Sequence, residues 1–206
     1  MFENGEPRAP LPGVRISKRG LFIDRWGTLL ELPSAGYAKS VDDVRFRPGA
    51  LDALFRAARD GWNLYLLGNE EDVAFGNVTD DEWRAIDEAI HETLSDYGVA
   101  LTRSYACVDH PRGRRGHDND SVYFLPNTGA FYHAAHTDGI ELDRSWVIGD
   151  STLELVAGWR AGLRLASVRT GLGLSDGEYD VEPEFHLADI CAVLDELSAA
   201  APATRS

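Results

Sequence analysis

The chain is poor in the features that mark several common protein classes. Two cysteines in 206 residues cannot build a disulfide framework. No apolar run approaches the roughly 18 residues of a membrane-spanning helix, and the N-terminal residues do not have the pattern of a signal peptide. We therefore expect a cytoplasmic protein.

Positive charge is also scarce. Lysine and arginine together number 20 against 34 acidic residues, which gives a formal net charge of -14. Such a surface repels nucleic acids and anionic membranes, so we expect neither as a partner. The remaining composition, 44% hydrophobic and 26% charged, is that of an ordinary globular domain with a sizeable core.

Apolar runs of strand length alternate with segments of helical periodicity along the chain. Thr79 and Glu82 form a capping box that starts one of these helices. The alternation predicts a parallel sheet covered by helices on both faces. We expect a loose N-terminal arm over 1–17, a single domain over 18–197 and a disordered tail over 198–206.

The last element of this domain is predicted to be an amphipathic helix over residues 185–197, which carry apolar residues at helical spacing. The long stretch over 109–129, rich in Gly, Arg and Asp, is predicted to be an irregular loop.

Two apolar runs end in a carboxylate. Leu21-Phe22-Ile23 leads into Asp24 and a turn with Gly27 and Thr28, and Val147-Ile148-Gly149 leads into Asp150. Open α/β sheets place their ligands at such strand ends. Each Asp alone also fits a turn residue or a helix cap, but the repeated pattern favours a shared site.

Several segments together carry a family resemblance, and they keep their order and spacing along the chain. In this order the chain resembles the D,D-heptose 1,7-bisphosphate and histidinol-phosphate phosphatases, a nearly capless branch of the haloacid dehalogenase (HAD) superfamily. The resemblance implies an α/β, three-layer Rossmann-like fold with a central parallel sheet. The segments are Asp24-Arg25-x-Gly27-Thr28, Phe46-Arg47-Pro48-Gly49-Ala50, Leu66-Leu67-Gly68-Asn69, Val147-Ile148-Gly149-Asp150 with Glu154, Gly158, Ala161-Gly162 and Thr170-Gly171.

The same resemblance implies a nucleophile and a metal site. Asp24 takes the nucleophile position. Mg²⁺ is expected to bind weakly to Asp24, the main-chain carbonyl of Trp26, Asp150 and Glu154, all of which offer the oxygen ligands that this ion prefers.

The chain departs from the family pattern at three positions that the family uses for catalysis. Trp26 stands where the family has the general acid/base Asp, so the proton donor is lost. Gly68 replaces the Thr or Ser that hydrogen-bonds the phosphoryl group, although the neighbouring Asn69 is kept. Leu125 replaces the lysine that neutralises the nucleophile and the phosphate.

The surroundings of these positions leave two questions open. The acidic segment Glu70-Glu71-Asp72 is either a solvated loop or a source of repulsion against phosphate. Arg103 or the cluster over 112–115 is a candidate substitute for the missing lysine.

The family also implies a structural zinc loop, of which only part is present. Cys107 and His110 match two ligands, whereas the positions of a later pair of cysteines hold Ser121 and Tyr123. Structural zinc needs four nitrogen or sulfur ligands. His117 or Asp118 could complete the set, but we expect a vestigial loop without zinc.

Three functions remain open. The first is a degenerate or repurposed family member that binds a small-molecule or protein-bound ligand, with conventional phosphatase activity weak or absent. The second is an active hydrolase that acts through Asp24 on a phosphate ester, an acyl phosphate or another small substrate. The third is an ordinary phosphatase with rearranged helper residues. The sequence identifies neither the substrate nor the oligomeric state.

Overall fold

The computed structural model describes residues 18–199, and its centre is a six-stranded sheet in which every neighbouring pair is parallel. The strand order is β3-β2-β1-β4-β5-β6. The predicted arm over 1–17 lies outside the described residues. The strands are Arg19–Asp24 (β1), Trp62–Asn69 (β2), Arg103–Cys107 (β3), Trp146–Gly149 (β4), Arg164–Val168 (β5) and Phe185–Leu187 (β6).

Helices cover both faces of this sheet. Alternate side chains of β1 point to opposite faces: Leu21 and Ile23 join a core with α1, α3 and α6, and Phe22 joins a second core with α4 and α5. The predicted three-layer α/β fold is therefore confirmed. The helices are Ala50–Arg59 (α1), Glu71–Phe75 (α2), Asp80–Asp96 (α3), Gly129–Asp138 (α4), Thr152–Ala161 (α5) and Ile190–Ala199 (α6).

The predicted capping box starts α3. The Thr79 hydroxyl accepts from the main-chain N–H of Glu82 at 3.2 Å, and the Glu82 carboxylate accepts from the Thr79 N–H at 2.8 Å. None of the helices in the described range is long and apolar enough to cross a membrane.

The prediction of one helix over residues 185–197 is wrong. Phe185–Leu187 instead forms strand β6 on the edge of β5, and the helix begins only at Ile190. The Asp189 carboxylate accepts from the N–H of Ala192 at 2.9 Å, which favours a helix start after this residue. The same helix includes residues 198 and 199 of the predicted tail, and residues 200–206 lie outside the described range.

Strand order reverses between β1 and β4, which lie side by side although a large part of the chain separates them. Ligand crevices of open parallel sheets form at the carboxyl ends of the strands next to such a reversal. Between β1 and α1 the only helical element described is the short 3₁₀ turn Val41–Asp43, so no large cap domain is inserted there.

Candidate active site

Three buried carboxylates converge at the carboxyl ends of β1 and β4. Asp24 is the last residue of β1, Asp150 directly follows β4, and Glu154 lies in the first turn of α5. One ligand oxygen from each carboxylate lies within 4.8 Å of the other two. The structure thus brings together the three acidic side chains that the sequence predicted for the metal site.

Two glycines pack directly against Asp150 and fix its position. Gly27 and Gly171 have left-handed φ angles of 90° and 63°. A Cβ at these positions would lie 2.1 Å and 1.8 Å from Asp150 Oδ2. The N–H of Leu172 donates to the same oxygen at 2.6 Å. Only glycine fits at both positions, because any side chain there would displace the carboxylate.

The other two carboxylates differ in how well they are satisfied. Glu154 Oε2 accepts from the Ser151 hydroxyl at 2.5 Å, whereas Asp24 Oδ2 is buried and has no hydrogen-bond partner. A buried, unpartnered carboxylate oxygen is costly unless a proton or a cation compensates it.

Burial raises the pKa of all three groups. The pKa of Asp24 lies well above its ordinary value because of desolvation and, after that, the charges of Glu154 and Asp150. Burial raises the pKa of Asp150 to about 6 and that of Glu154 to about 7. Without a cation, the cluster therefore retains protons toward neutral pH. This donor set of closely spaced oxygens suits a hard divalent cation.

The cleft above these carboxylates has a volume of about 230 Å³. No lysine or arginine is among the side chains that line it in the described part of the chain, although Glu71 adds a further acid. The lining residues are Asp24, Trp26, Leu32, Gly68, Asn69, Glu71, Asp150, Ser151, Leu153, Glu154 and Leu172.

Trp26 occupies the rim of this cleft. Its indole Nε1–H donates to Glu70 Oε2 at 3.2 Å. Glu70 is only 7% exposed and also lies 3.5 Å from Nη1 of the fully buried Arg25. Burial raises the pKa of Glu70, while the Arg25 charge and the Trp26 hydrogen bond lower it. The interpretation of Glu70 as part of a solvated loop is therefore wrong.

The same ion pair fills the space next to Gly68. A Cβ at Gly68 would lie 3.1 Å from Arg25 Nη1 and 3.1 Å from Glu70 Oε1. Arg25 Nη2 donates to the Ser104 hydroxyl at 2.5 Å, and Nη1 donates to the main-chain carbonyl of Tyr105 at 3.4 Å. Sequence reasoning missed this pair, and the only signal for it was that Glu70 directly follows a buried strand.

Leu125 lies beside the cleft, but its side chain belongs to the core. The Asn69 amide accepts from the Leu125 N–H at 2.8 Å and donates to the Leu125 carbonyl at 3.0 Å. The Leu125 side chain is 2% exposed and joins the apolar cluster that includes Phe22 and Leu67. No positive charge is therefore supplied from this position.

Neither candidate substitute for the missing lysine lines the cleft. Arg103 starts β3, at the opposite end of the sheet, where its Nε and Nη2 donate to the Asp138 carboxylate at 2.9 and 2.8 Å. From the cluster over 112–115, Arg114 donates to the Val73 carbonyl at 3.2 Å and to Asp80 at 3.1 Å. The prediction that Arg103 or the cluster over 112–115 takes the place of the missing lysine is therefore wrong.

Protein contacts satisfy the residues of the predicted vestigial zinc loop. The Cys107 thiol donates to the Asp109 carbonyl, and His110 Nδ1 accepts from the N–H of Arg112. His117 lies 3.0 Å from the Val108 carbonyl through Nδ1 and 2.9 Å from Asp80 through Nε2. Within the range 18–199, the one group of three or more potential metal ligands that converges is Asp24, Asp150 and Glu154.

Solved structures similar to this fold include phosphatases of the HAD type. The D,D-heptose 1,7-bisphosphate phosphatase of B. bronchiseptica, complexed with magnesium and phosphate, aligns with a TM-score of 0.77 and 24% identity, over 89% of this chain and 99% of that one. A putative HAD-like phosphatase from Mesorhizobium loti aligns with a TM-score of 0.73 and 27% identity, over 92% of this chain and 90% of that one.

Sequence comparisons agree with this similarity. A family model described as HAD-hydrolase-like matches residues 125–197. The heptose-1,7-bisphosphate 7-phosphatase of Haemophilus ducreyi is 30% identical over 79% of this chain and 90% of the relative. That of Thermosynechococcus vestitus is 28% identical over 87% of this chain and 95% of the relative. The chain therefore belongs to the HAD family and groups with its heptose-bisphosphate phosphatases.

Proposed function

We propose that this chain is a magnesium-binding phosphatase-type protein of the HAD family in which hydrolysis of phosphate monoesters through Asp24 is strongly reduced, and that it has been repurposed to bind a ligand in its cleft. One observation carries the proposal. Asp24 stands with Asp150 and Glu154 in one acidic cluster, whereas no cationic side chain is found among the described residues that line the cleft, and Arg47 acts on Asp150 only from outside that lining.

The metal part rests on the three carboxylates. Asp24, Asp150 and Glu154, with the main-chain carbonyl of Trp26, would hold Mg²⁺, and the unpartnered Asp24 Oδ2 supports this assignment. When bound, the ion supplies positive charge that offsets the mutual repulsion of the three acids.

The low rate of phosphate monoester hydrolysis that we propose follows from the side chains around Asp24. Transfer of a phosphoryl group to Asp24 forms one P–O bond and breaks another, and the departing alkoxide needs a proton. Trp26 cannot supply that proton, and its N–H already donates to Glu70. Loss of a general acid typically costs about 10²–10⁴-fold in rate. Loss of a cation that stabilises developing charge adds to that cost.

An active hydrolase with altered chemistry is the second candidate. Asp24 lines the cleft at the end of β1 and stands at the nucleophile position that the family resemblance assigns. An acyl phosphate fits this reading best, since its leaving group departs as a stable anion without a proton donor. Heptose 1,7-bisphosphate, the substrate in the names of the relatives, is the reference substrate for the ordinary phosphatase reaction.

A crystal structure soaked with Mg²⁺ and beryllofluoride tests both parts together. We expect Mg²⁺ on Asp24, Asp150 and the Trp26 carbonyl, and no beryllofluoride on Asp24. A fully occupied beryllofluoride adduct on Asp24 would instead support an active hydrolase. Absence of Mg²⁺ at high millimolar concentration would contradict the metal assignment.

A further inference from the structure

A second, smaller pocket of about 140 Å³ lies next to the cleft. The two share Trp26, Asn69 and Glu71, so a ligand seated in the pocket borders the cleft as well. The pocket combines aromatic and acidic side chains on an otherwise small-residue and apolar wall. Its lining residues are Trp26, Pro33, Gly36, Tyr37, Ala38, Asn69, Glu70, Glu71, Asp72, Val73, Val78 and Trp83.

Three aromatic side chains from separate segments meet in this pocket. Trp26 comes from the turn after β1, Tyr37 from the loop before α1, and Trp83 from the first turn of α3. All three are partly buried. The faces of aromatic rings attract cations, most strongly where the cation is shielded from water.

The acidic side chains leave this pocket with uncompensated negative charge. Glu70 is paired with Arg25, and Asp72 accepts a hydrogen bond from the Asn77 amide at 2.8 Å. Glu71 is partly buried, and its carboxylate has no hydrogen-bond or ion-pair partner within the described range. No lysine or arginine lines the pocket among the described residues. A positively charged ligand would offset this charge.

The arrangement favours an organic cation over a metal ion. Glu70, Glu71 and Asp72 are not among the converging metal-ligand groups found in residues 18–199. Aromatic walls suit large, weakly hydrated ammonium groups, which metal ions with tight oxygen shells do not resemble. A cavity of roughly 150 Å³ accommodates a benzene-sized ligand, so one ammonium head group fits the available volume.

We propose that this pocket binds the protonated or quaternary ammonium group of a small organic molecule, whose remaining part extends into the cleft beside Asp24. Trp26 and Tyr37 provide the contact surface, since the Arg25 guanidinium already lies 5.8 Å from the centroid of the Trp83 ring, and Glu71 provides the charge. The proposal does not depend on metal binding or on reaction at Asp24, and it can be tested on the metal-free protein.

Isothermal titration with choline, in a metal-free buffer of low ionic strength, tests the proposal directly. The control ligand is 3,3-dimethylbutan-1-ol, which has the same shape and no charge. We expect choline to bind at least about tenfold more tightly, because the neutral molecule gains neither the cation–π nor the carboxylate attraction. Equal affinity for the two ligands, or no binding of choline, would overturn the proposal.

Matched variants identify the pocket as the site. Glu71→Gln should weaken choline binding about tenfold, while Glu88→Gln, on the exposed side of α3, should leave it unchanged. Tyr37→Leu should weaken binding about threefold to tenfold and Tyr37→Phe should preserve it. Circular dichroism checks that each variant is folded. If the Glu88 variant lost as much affinity as the Glu71 variant, or if Tyr37→Phe and Tyr37→Leu behaved alike, choline would be bound elsewhere and the proposal would fail.

Discussion

Glu70 connects Trp26 and Gly68, two of the three positions at which the resemblance indicates a departure from the family pattern. Trp26 donates a hydrogen bond to it, Arg25 forms an ion pair with it, and the space that a side chain at Gly68 would need is occupied by this pair. Trp26 and Gly68 are therefore parts of one packed arrangement, in which the small size of Gly68 makes room for the pair.

We expect Glu70→Gln to destabilise the protein by about 2–4 kcal/mol, because the fully buried Arg25 would lose the nearer and more buried of its two carboxylate partners, Glu70 and Asp87. Glu71→Gln is the matched control. Its carboxylate has no partner among residues 18–199, so its removal should change the free energy of unfolding by no more than about 0.5 kcal/mol.

Urea denaturation of the two variants and the wild type measures both values. Equal destabilisation by the two substitutions would show that the ion pair between Glu70 and Arg25 contributes nothing specific.

Among the elements, those that could be predicted from the sequence are those with a local signal. The apolar runs before Asp24 and Asp150 and the capping box at Thr79 each lie within a few residues, and the structure has all three. Strand β6 could not be recognised, because its three residues fit a helix pattern equally well and its pairing partner is the edge of β5.

The residues of the candidate site also divide into those with a local sequence signal and those that only long-range contacts position. Asp24 and Asp150 follow from the strand ends, whereas the burial of Glu70 depends on contacts between β1, β2 and β3. The family resemblance assigns Leu125 to the lysine position of the site. Only the packing of α4 and α5 shows that its side chain belongs to the core.

The loop after β5 contains Gly171, which packs against Asp150, and a substitution there tests whether this contact positions the Asp150 carboxylate for Mg²⁺. Gly171→Ala should lower the Mg²⁺ affinity at least about tenfold, because the new Cβ would lie 1.8 Å from Asp150 Oδ2. Gly177→Ala is the control: Gly177 also has a left-handed φ, of 58°, but a Cβ there would meet no atom within 4 Å.

Both substitutions should cost roughly 1 kcal/mol of stability or more, since alanine is strained at positive φ. Only the first should change the Mg²⁺ affinity measured by isothermal titration. Unchanged Mg²⁺ binding by a folded Gly171→Ala variant would mean that Asp150 is not a ligand in the observed position.

At the scale of the whole molecule, the acidic cluster links stability to pH and to magnesium. The pKa values of Asp150 and Glu154 are raised to about 6 and about 7 in the folded protein, and that of Asp24 is raised as well. The folded state therefore binds more protons than the unfolded state between about pH 4 and pH 7. Through this cluster, stability of the metal-free protein should fall as the pH rises across that range.

Magnesium should reverse this loss where the carboxylates are ionised. At a concentration one hundred times its Kd, Mg²⁺ should raise the Tm by about 5–10 °C near pH 8 and by much less near pH 5, where protons compete for the ligands. Thermal denaturation of the wild type and an Asp150→Asn variant at both pH values measures the effect. An identical Mg²⁺-induced shift in the two proteins would show that the ion binds elsewhere.

The most direct test of the account is the rate of phosphate release from heptose 1,7-bisphosphate in saturating Mg²⁺. The wild type and an Asp24→Asn variant are compared with the Haemophilus ducreyi relative. We predict a wild-type kcat/KM at least about 10²-fold below that of the relative, because the Trp26 side chain cannot protonate a leaving alkoxide. Turnover equal to that of the relative and abolished by Asp24→Asn would contradict the account.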